Sequence, residues 1–515
     1  MIFVELQDHN YKYQVEDIIK LFFYDEDITY VDKFPANVKG IYVLIGMDKA
    51  EGTLSHYNEN GVNNIYVELW QDGICIYNRQ NNSETVLPDW DNGHIEDIEV
   101  NKSSYKEHLV KKKTKMIIKR QLYLAFKFLT GKSMPWGILT GIRPAKIVHE
   151  MLNMHYVDDL IIHNLKSFYM VKEDKAGLLL DVAKKEKKIL DLASPYSVSI
   201  YIGIPFCTTR CLYCSFTSNP IDSSSDIVKK YMDALMYEME KTSSIIKRNG
   251  WNVQSIYIGG GTPTSIDEKS LDKLLSLVGS TFGGGSLEEF TLEAGRPDSL
   301  NIDKLSIIKA SNVDRISINP QSMNDEVLKT IGRNHTAGDI EWAFMKAREI
   351  GFDNINMDII AGLPGESPQM FNKSLERILE LSPDSLTVHT LSIKRGSKLI
   401  YDKTSRTDIH SEKIEEMVGT AAEYAYKMGM KPYYLYRQKN ILGNLENIGY
   451  STEGHESIYN IQIMEEKQSI IAMGAGAVTK MVYPEENRIE RVFNVKSVSD
   501  YILRIDEMIA RKEAI

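Results

Sequence analysis

The stretch that decides the fold of this 515-residue chain is VSIYIGIPFCTTRCLYC, residues 198–214. It begins as a strand-like apolar run and leads through a Gly-Ile-Pro-Phe turn into Cys207, Cys211 and Cys214, a C-x3-C-x2-C spacing. The chain has one other cysteine, Cys75. Four cysteines, three of them clustered, do not make a disulfide framework, so the cluster indicates metal or redox chemistry.

Three thiolates on one short loop can hold three corners of a [4Fe–4S] cube and leave the fourth iron open to another ligand. The alternative is structural zinc, which prefers four closed ligands. No histidine lies between His163 and His335, so a zinc site would need a distant fourth ligand such as Cys75, and that possibility stays open. Otherwise Cys75 is expected to be a small buried apolar residue.

Working outward, six strand-like runs alternate with helical stretches, at residues 198–202, 255–258, 290–293, 315–318, 355–359 and 386–391. Such alternation predicts a parallel sheet with crossover helices. Because no clear seventh or eighth repeat follows, the predicted fold is α/β, an incomplete (βα)6 TIM-like barrel. In such barrels the chemistry collects at the carboxyl ends of the strands.

The residues that end these runs are of the kinds that bind ligands. Gly260, Gly261 and Thr262 follow the second run, and glycines let the backbone approach a ligand closely. An arginine after the fourth run offers a fork of donors for a carboxylate, and an acid inside the apolar fifth run is costly unless it is paired. The polar residues that end, follow or lie within the third, fourth and fifth runs are Glu293, Gln321, Arg333 and Asp358. A second triple glycine, 283–285, is predicted to be a plain loop.

Together with the Tyr201-x-x-Ile-Pro-Phe-Cys207 text, these residues resemble the radical S-adenosylmethionine (SAM) superfamily over roughly 201–389. Within it they are similar to the oxygen-independent coproporphyrinogen III oxidase family, also called coproporphyrinogen dehydrogenase. The segments 135–144, 433–440 and 443–447 resemble its longer clostridial and bacillar branch.

The resemblance implies two cofactors, a [4Fe–4S] cluster on the three clustered cysteines and SAM. In that superfamily the open iron chelates SAM, and one electron from an external low-potential donor yields methionine and a 5′-deoxyadenosyl radical that abstracts hydrogen. The resemblance implies no catalytic side chain. The SAM contacts that it implies are Tyr201, Tyr213, Gly260, Gly261, Thr262, Glu293, Gln321, Arg333 and Asp358.

The implied activity is that of a radical SAM oxidoreductase of haem biosynthesis, which decarboxylates coproporphyrinogen III propionates to the vinyl groups of protoporphyrinogen IX. Two departures keep alternatives open: Gly203 replaces a histidine of the founding oxidases, and Phe216 replaces a fourth cysteine, as in the branch that binds and delivers haem. A haem chaperone and a haem-modifying methyltransferase on the same scaffold are those alternatives. A tetrapyrrole needs cations and aromatic rings, and Arg395, Tyr436 and Arg437 are the predicted contacts.

Composition sets the remaining expectations. Hydrophobic residues make up 43% and charged residues 26% of the chain, with a net charge of −10, which argues against a mainly nucleic-acid-binding protein. No apolar stretch is long enough for a membrane span, and the N-terminus lacks a basic leader, so a cytoplasmic location is expected. The predicted divisions are an N-terminal α/β domain with a helical segment (1–165), a helical linker (166–195), the partial barrel (196–400) and a mixed C-terminal domain that covers the substrate (401–515).

Overall fold

The computed structural model describes two compact units, residues 1–180 and 181–515. The described residues are 1–24, 26–33, 40–47, 65–80, 102–194, 196–216, 219–221, 226–394, 396–401, 411–438, 441–484, 486 and 488–514, without the side chains of 80, 102–109 and 401. Within these ranges, each helix is too short or too polar to cross a lipid bilayer.

The first unit is a five-stranded sheet with helices. Its strand order is β2-β1-β3-β4-β5, in which β1 runs parallel to β2 and β3 while β3, β4 and β5 are antiparallel. The elements are β1 (Ile2–Gln7), α1 (Lys12–Phe22), β2 (Ile28–Tyr30), β3 (Ile41–Met47), β4 (Ile65–Gln71), β5 (Ile74–Gln80), α2 (Lys102–Thr130), α3 (Ala145–Asn153), α4 (Asp158–Ser167) and the start of α5 (Glu173–Leu190).

Cys75 lies on β5, the last strand in this order, and its side chain is exposed. The prediction that it is buried was wrong. Among the described strands, β5 is at the edge of the sheet, and both Ile74 and Cys75, which follow the turn at Asp72 and Gly73, are exposed to solvent.

The second unit is built on an eleven-stranded sheet. Its strands are β6 (Ser197–Ile204), β7 (Phe206–Cys207), β8 (Asn219–Pro220), β9 (Asn252–Gly260), β10 (Glu289–Glu293), β11 (Arg315–Ser317), β12 (Ile355–Ala361), β13 (Ser385–Thr390), β14 (Lys431–Tyr436), β15 (Asn447–Ser451), β16 (Ser469–Met473), β17 (Val478–Tyr483) and β18 (Arg488–Phe493), of which β7 and β8 form a separate pair. The helices are α6 (Asp226–Arg248), α7 (Glu268–Phe282), α8 (Ile302–Ala310), α9 (Asp325–Thr330), α10 (Ala337–Ile350), α11 (Pro368–Leu381), α12 (Ser411–Lys427), α13 (Ile458–Glu465), α14 (Val498–Leu503) and α15 (Ile505–Glu513).

The centre of the large sheet confirms the predicted α/β barrel. The order is β14-β15-β13-β12-β11-β10-β9-β6-β16-β17-β18, so the six predicted strands lie side by side in chain order and pair in parallel. Near-continuous burial along β6 and β12 is what a parallel sheet covered by helices requires. The carboxyl ends of all six strands therefore meet at one rim.

Both sides of this barrel are extended by strands that follow residue 400. β16 pairs in parallel with β6, and β15 pairs antiparallel with β13. The predicted boundary at 400 thus does not separate compact units, because these strands satisfy the backbone groups that the outer barrel strands would leave unpaired. The predicted 166–195 linker contains α5, which begins in the first unit and ends in the second.

The C-terminal helix is tied to α6 by a buried ion pair. Lys512 Nζ lies 2.5 Å from Glu238 Oε1, and the two side chains are 2% and 0% exposed. Glu238 also accepts hydrogen bonds from Tyr501, from the backbone N–H of Gly474 and from Asn494. A buried charge is stable only when it is paired in this way.

Candidate functional site

A cavity of about 370 Å³ opens at the rim where the carboxyl ends of the barrel strands meet. Its lining contains all three clustered cysteines and most of the residues predicted to contact SAM. The predicted residues found there are Cys207, Cys211, Cys214, Tyr213, Gly260, Gly261, Thr262, Glu293, Gln321, Arg333 and Asp358. They come from six separate segments, and the sheet brings them together.

Tyr201 is the predicted SAM contact that is not in this lining, as far as the described residues go. Its ring stacks on Tyr257 and Tyr459, with ring centres 6.3 and 6.2 Å away. Tyr257 itself lines the cavity and pairs with Tyr201 across β6 and β9. The aromatic side chain that reaches the cavity from this layer is therefore the one on the neighbouring strand.

The glycine-rich segment packs directly on the start of the cysteine loop. The backbone N–H of Gly261 donates to Ile204 O at 2.7 Å, and that of Thr262 donates to Phe206 O at 2.7 Å. A β-carbon on Gly261 would lie 2.4 Å from Phe206 O and 2.9 Å from Cys207 Sγ. Glycine is required here because a side chain would displace a predicted cluster ligand.

The site favours the neutral form of the Cys207 and Cys214 thiols when nothing is bound. Burial raises the pKa of Cys207, against a hydrogen bond from Thr262 Oγ1 at 3.5 Å that lowers it, and burial also raises the pKa of Cys214. Because only thiolates bind metal, loading this site releases protons and supplies the compensating positive charge.

The three sulfurs are not arranged as a tetrahedral zinc ion would require. Thiolates around tetrahedral zinc lie about 3.8 Å apart, as Zn–S bonds of ~2.3 Å require. In the part of the chain that the structure describes, Cys207, Cys211 and Cys214 do not form a group with all sulfurs within 4.8 Å of one another. Three cysteine sulfurs on one loop are the donor set that holds three irons of a [4Fe–4S] cluster and leaves the fourth open, so the residues present fit that cofactor.

Two carboxylates, Glu293 and Asp358, line the cavity, and their pKa values shift in opposite directions. Burial raises the pKa of Glu293 to about 7, although Tyr257 donates to its Oε1 at 2.5 Å, and the negative charge of Asp358 adds to the rise. Burial of Asp358 also disfavours its charge, but His389, Asn356 and Thr387 outweigh that effect and hold the pKa of Asp358 below its usual value. Asp358 is therefore ionised at neutral pH, whereas the pKa of Glu293 lies close to neutral pH.

Polar atoms in the cavity remain open for a ligand. Gln321 has a left-handed backbone (φ 65°), and its buried Oε1 accepts no hydrogen bond from the described residues. Arg333 donates to Asn319 O at 2.6 Å and to the Tyr213 hydroxyl at 3.4 Å, while its Nε lacks an acceptor in the same described set. Buried polar atoms of this kind are normally satisfied, and the amino, carboxylate and ribose groups of SAM are suitable partners.

Several lining residues were not predicted from the sequence. They are Tyr257, Asn319, Asn356 and His389, together with Arg296 beside the cysteine loop. His389 is the second-last residue of β13, and the rule that strand ends carry the chemistry would have selected it. Tyr257 lies inside a strand, where an aromatic residue is ordinary and gives no signal.

The predicted substrate contacts have three different outcomes. Tyr436 lines the cavity, and its hydroxyl lies 3.4 Å from His389 Nδ1. Arg395 lies outside the described residues. Arg437 is buried, is not among the described lining residues, and donates to the carbonyl oxygens of Leu445 and Asn444 at 3.3 and 3.1 Å. Its donors therefore serve a local turn of the chain.

Known proteins share both the sequence and the fold. A model of the radical SAM superfamily matches residues 201–378. The oxygen-independent coproporphyrinogen-III oxidase-like protein HemZ of Bacillus subtilis is 42% identical over 380 residues, 73% of this chain and 76% of that protein. The haem chaperone HemW of the same organism is 33% identical over 280 residues, 54% of this chain and 70% of that protein.

Among solved structures, the coproporphyrinogen III oxidase HemN of Escherichia coli, a radical SAM enzyme, matches with a TM-score of 0.50 and 22% identity. The match covers 62% of this chain and 72% of that one, and it supports the fold. The identity to HemZ, which extends over 76% of that protein, shows the family in addition to the fold. The chain therefore belongs to the radical SAM superfamily, with a [4Fe–4S] cluster and SAM as cofactors, and within it to the oxygen-independent coproporphyrinogen III oxidase family.

Proposed function

We propose that this chain converts coproporphyrinogen III propionates to vinyl groups in haem biosynthesis. The observation that carries the proposal is the cavity: it unites three cysteines, eight of the nine implied SAM contacts, a cationic side chain and an aromatic wall. The relatives named as coproporphyrinogen oxidases and haem chaperones support a tetrapyrrole as the substrate class.

Cys207, Cys211 and Cys214 would hold the cluster through their sulfurs. Arg333 suits the carboxylate of SAM, since its guanidinium is fixed by Asn319 and Tyr213. The glycine segment 259–261 offers backbone groups to the amino group, and Asp358 offers an ionised acceptor to the ribose hydroxyls. When bound, the cluster and SAM together supply one-electron reduction and hydrogen-atom abstraction, chemistry that no protein side chain provides.

The chain's own residues position the substrate and exclude water. The apolar and aromatic lining residues against which pyrrole rings can pack include Phe216, Leu391, Tyr434 and Tyr436. Lys394 is the lining cation on this side. Burial lowers the pKa of the Lys394 ammonium group below its usual value, and the negative charge of the Cys214 thiolate offsets only part of that effect. A substrate propionate would form an ion pair with Lys394 on the side of the cavity where Cys214 lies.

The reaction balances for each propionate. With the cofactors bound, the β-carbon would give up one hydrogen atom, the carboxylate would leave as CO2, and one electron would pass to an external acceptor, which leaves a C=C bond. Of the three electrons in question, the one left on the β-carbon and the two of the cleaved C–C bond, two form the new π bond and the third is the one that the acceptor takes, so no side chain needs to form a covalent bond. The protein is thus required to orient the β-carbon and to keep competing hydrogen donors away.

The test is anaerobic incubation of the reconstituted, reduced protein with SAM and coproporphyrinogen III. We expect 5′-deoxyadenosine together with mono- and divinyl products, detected by mass spectrometry, and neither from Cys211→Ala protein. The matched substrate control is Lys394→Met, which should raise KM while it retains SAM cleavage. Formation of 5′-deoxyadenosine without vinyl product would contradict the proposal.

One observation favours a second candidate, a haem chaperone. Phe216 occupies the position where the founding oxidases have a fourth cysteine, and its side chain is 67% exposed at the cavity. An exposed aromatic ring at an opening suits stacking on a flat macrocycle. Stoichiometric haem binding that Phe216→Ser abolishes, without turnover of coproporphyrinogen or haem, would support this function. A methylated or ring-opened haem product would instead identify a haem-modifying enzyme.

A further inference from the structure

Arg296 lines the cavity beside the cysteine loop and is not used in the proposed reaction. It follows β10, three residues after Glu293, and is 4% exposed. A guanidinium has five N–H donors, and here each has an acceptor. Its Nε and one NH2 hydrogen serve Asp298, a second NH2 hydrogen serves Thr209 Oγ1, and NH1 serves Thr209 O and Cys211 Sγ, at 2.9, 2.7, 3.0, 3.4 and 3.5 Å.

Asp298 fixes the direction of this guanidinium. It binds Arg296 as a bidentate pair, accepts from Thr208 Oγ1 at 2.8 Å and lies 3.5 Å from His335 Nδ1. Arg296 and His335 are both less than 5% exposed. Bidentate pairing leaves the guanidinium one orientation, so the NH1 edge stays aimed at the loop between the first two cysteines.

The contact with Cys211 sulfur has a chemical consequence. Potentials of iron–sulfur clusters depend on net charge, solvent exposure and hydrogen bonds to the sulfurs. An N–H donor at a thiolate ligand stabilises the reduced cluster more than the oxidised one, because the reduced cluster carries more negative charge on its sulfurs. Groups that contact ligands in this way tune a metal centre strongly.

We propose that Arg296, oriented by Asp298, is a positioning residue that raises the midpoint potential of the [4Fe–4S] centre through its hydrogen bond to Cys211. The inference rests on the proposed cysteine ligands and is independent of the substrate. The Cys207 sulfur accepts from the neutral Thr262 hydroxyl, so the three ligands are not equivalent. Cys211 is the ligand at which the guanidinium's charge-assisted donor acts.

The test is redox titration of the reconstituted protein, followed by electron paramagnetic resonance of the reduced cluster without SAM. We expect Arg296→Gln to bind four irons and to have a more negative midpoint potential than the native protein. Electron–nuclear double resonance in H2O and D2O should show an exchangeable proton coupled to the native cluster that is lost in this variant. Neither readout requires turnover, so an absent decarboxylase activity would leave the result interpretable.

Thr209→Val is the matched control, because it removes one acceptor of Arg296 and leaves the contact with Cys211. We expect its potential to equal that of the native protein. Should Arg296→Gln not retain iron, Arg296→Lys, which keeps the charge without the fork, is expected to load and to show the same negative shift. The proposal is overturned by an unchanged potential and proton coupling in loaded variants, by an equal shift in Thr209→Val, or by loss of the cluster from both Arg296 variants.

Discussion

At the scale of single residues, Glu293 and Asp358 show how position separates two similar acids. Both are lined up at the cavity, but only Asp358 has His389 within 3.7 Å together with a hydrogen bond from Asn356 at 2.7 Å. Glu293 has Tyr257, a neutral donor, and the repulsion of Asp358. The consequence is that Glu293 changes its charge in the physiological range while Asp358 stays ionised.

The affinity for SAM should therefore depend on pH through Glu293. With a pKa of about 7 in the free protein, Glu293 is mostly protonated at pH 6 and mostly ionised at pH 8. If the ionised form binds the cationic ligand, the Kd falls about tenfold over that interval, in proportion to the competent fraction. Equilibrium binding of SAM under anaerobic conditions measures this. Among the described residues, the charged and titratable groups around Glu293 are Tyr201, Tyr257, Asp358, His389 and Tyr459.

Glu293→Gln should bind SAM more weakly with a flattened pH profile, and any titration of the ligand itself is common to both proteins. Asp358→Asn should keep the pH dependence but move its midpoint to lower pH, because the neighbouring negative charge is removed. A Glu293→Gln protein with the native pH profile would show that another group titrates.

The cysteine assignment is a second prediction at this scale. Cys207→Ala, Cys211→Ala and Cys214→Ala should each abolish the cluster absorption after reconstitution, since three thiolates hold three irons. Cys75→Ala should retain full iron, as the exposed thiol lies on β5 of the first unit. Iron and sulfide analysis decides, and full iron in any of the first three variants would refute the ligand set.

At the scale of elements, the residues that follow β9 hold the residues that follow β6 in position. Two backbone hydrogen bonds and the absence of a side chain at Gly261 place Cys207 against the neighbouring strand. Parallel strands make such contacts possible because their carboxyl ends lie side by side. The first cysteine is therefore positioned by residues more than fifty positions away.

Gly261→Ala should impair cluster assembly, because its methyl group would overlap Phe206 O and Cys207 Sγ. We expect less than half of the native iron content after reconstitution with unchanged circular dichroism. The matched control is Gly285→Ala in the other triple glycine, where a β-carbon meets no described atom within 4 Å. Equal iron contents in the two variants would mean that the loop tolerates the displacement.

At the scale of the whole molecule, the second unit is closed by residues far apart in the chain. The pair between Glu238 and Lys512 joins positions 274 residues apart, and Gly474, Asn494 and Tyr501 complete the network. The turn that contains Gly474 and Ala475 is linked to the end of β6 by Tyr231. The Tyr231 hydroxyl donates to Gly203 O at 2.6 Å and accepts from Ala475 N at 3.1 Å. The C-terminal helix thus supports the strand that carries the site.

Lys512→Met should lower stability by about 3 kcal/mol, because it leaves the Glu238 carboxylate buried without a cation. Urea denaturation measures the change. The double variant Glu238→Gln/Lys512→Met should be more stable than Lys512→Met alone, since the unpaired charge is gone. Arg504→Met removes an exposed pair with Glu507 and should leave the midpoint unchanged, and an equal effect of both single variants would contradict the role of the buried pair.

The barrel, the ligand-bearing loop and the rim residues could be predicted from the amino-acid sequence alone. Strand–helix alternation is a local pattern, and three cysteines within eight residues must share one loop, so neither conclusion requires tertiary contacts. The rule that strand ends meet at one rim then collected Glu293, Gln321, Arg333 and Asp358 without knowledge of the packing.

The tertiary structure decided what depends on register and on distant partners. Tyr201 on β6 and Tyr257 on β9 stack on each other, but only Tyr257 lines the cavity. Which of the two rings reaches the cavity depends on how the side chains pack. Arg437 serves a local turn, and Arg296 gains its acceptor on Cys211 from a loop 85 residues earlier. Hydrogen bonds are short-ranged and directional, so such partners follow from three-dimensional positions that no local pattern encodes.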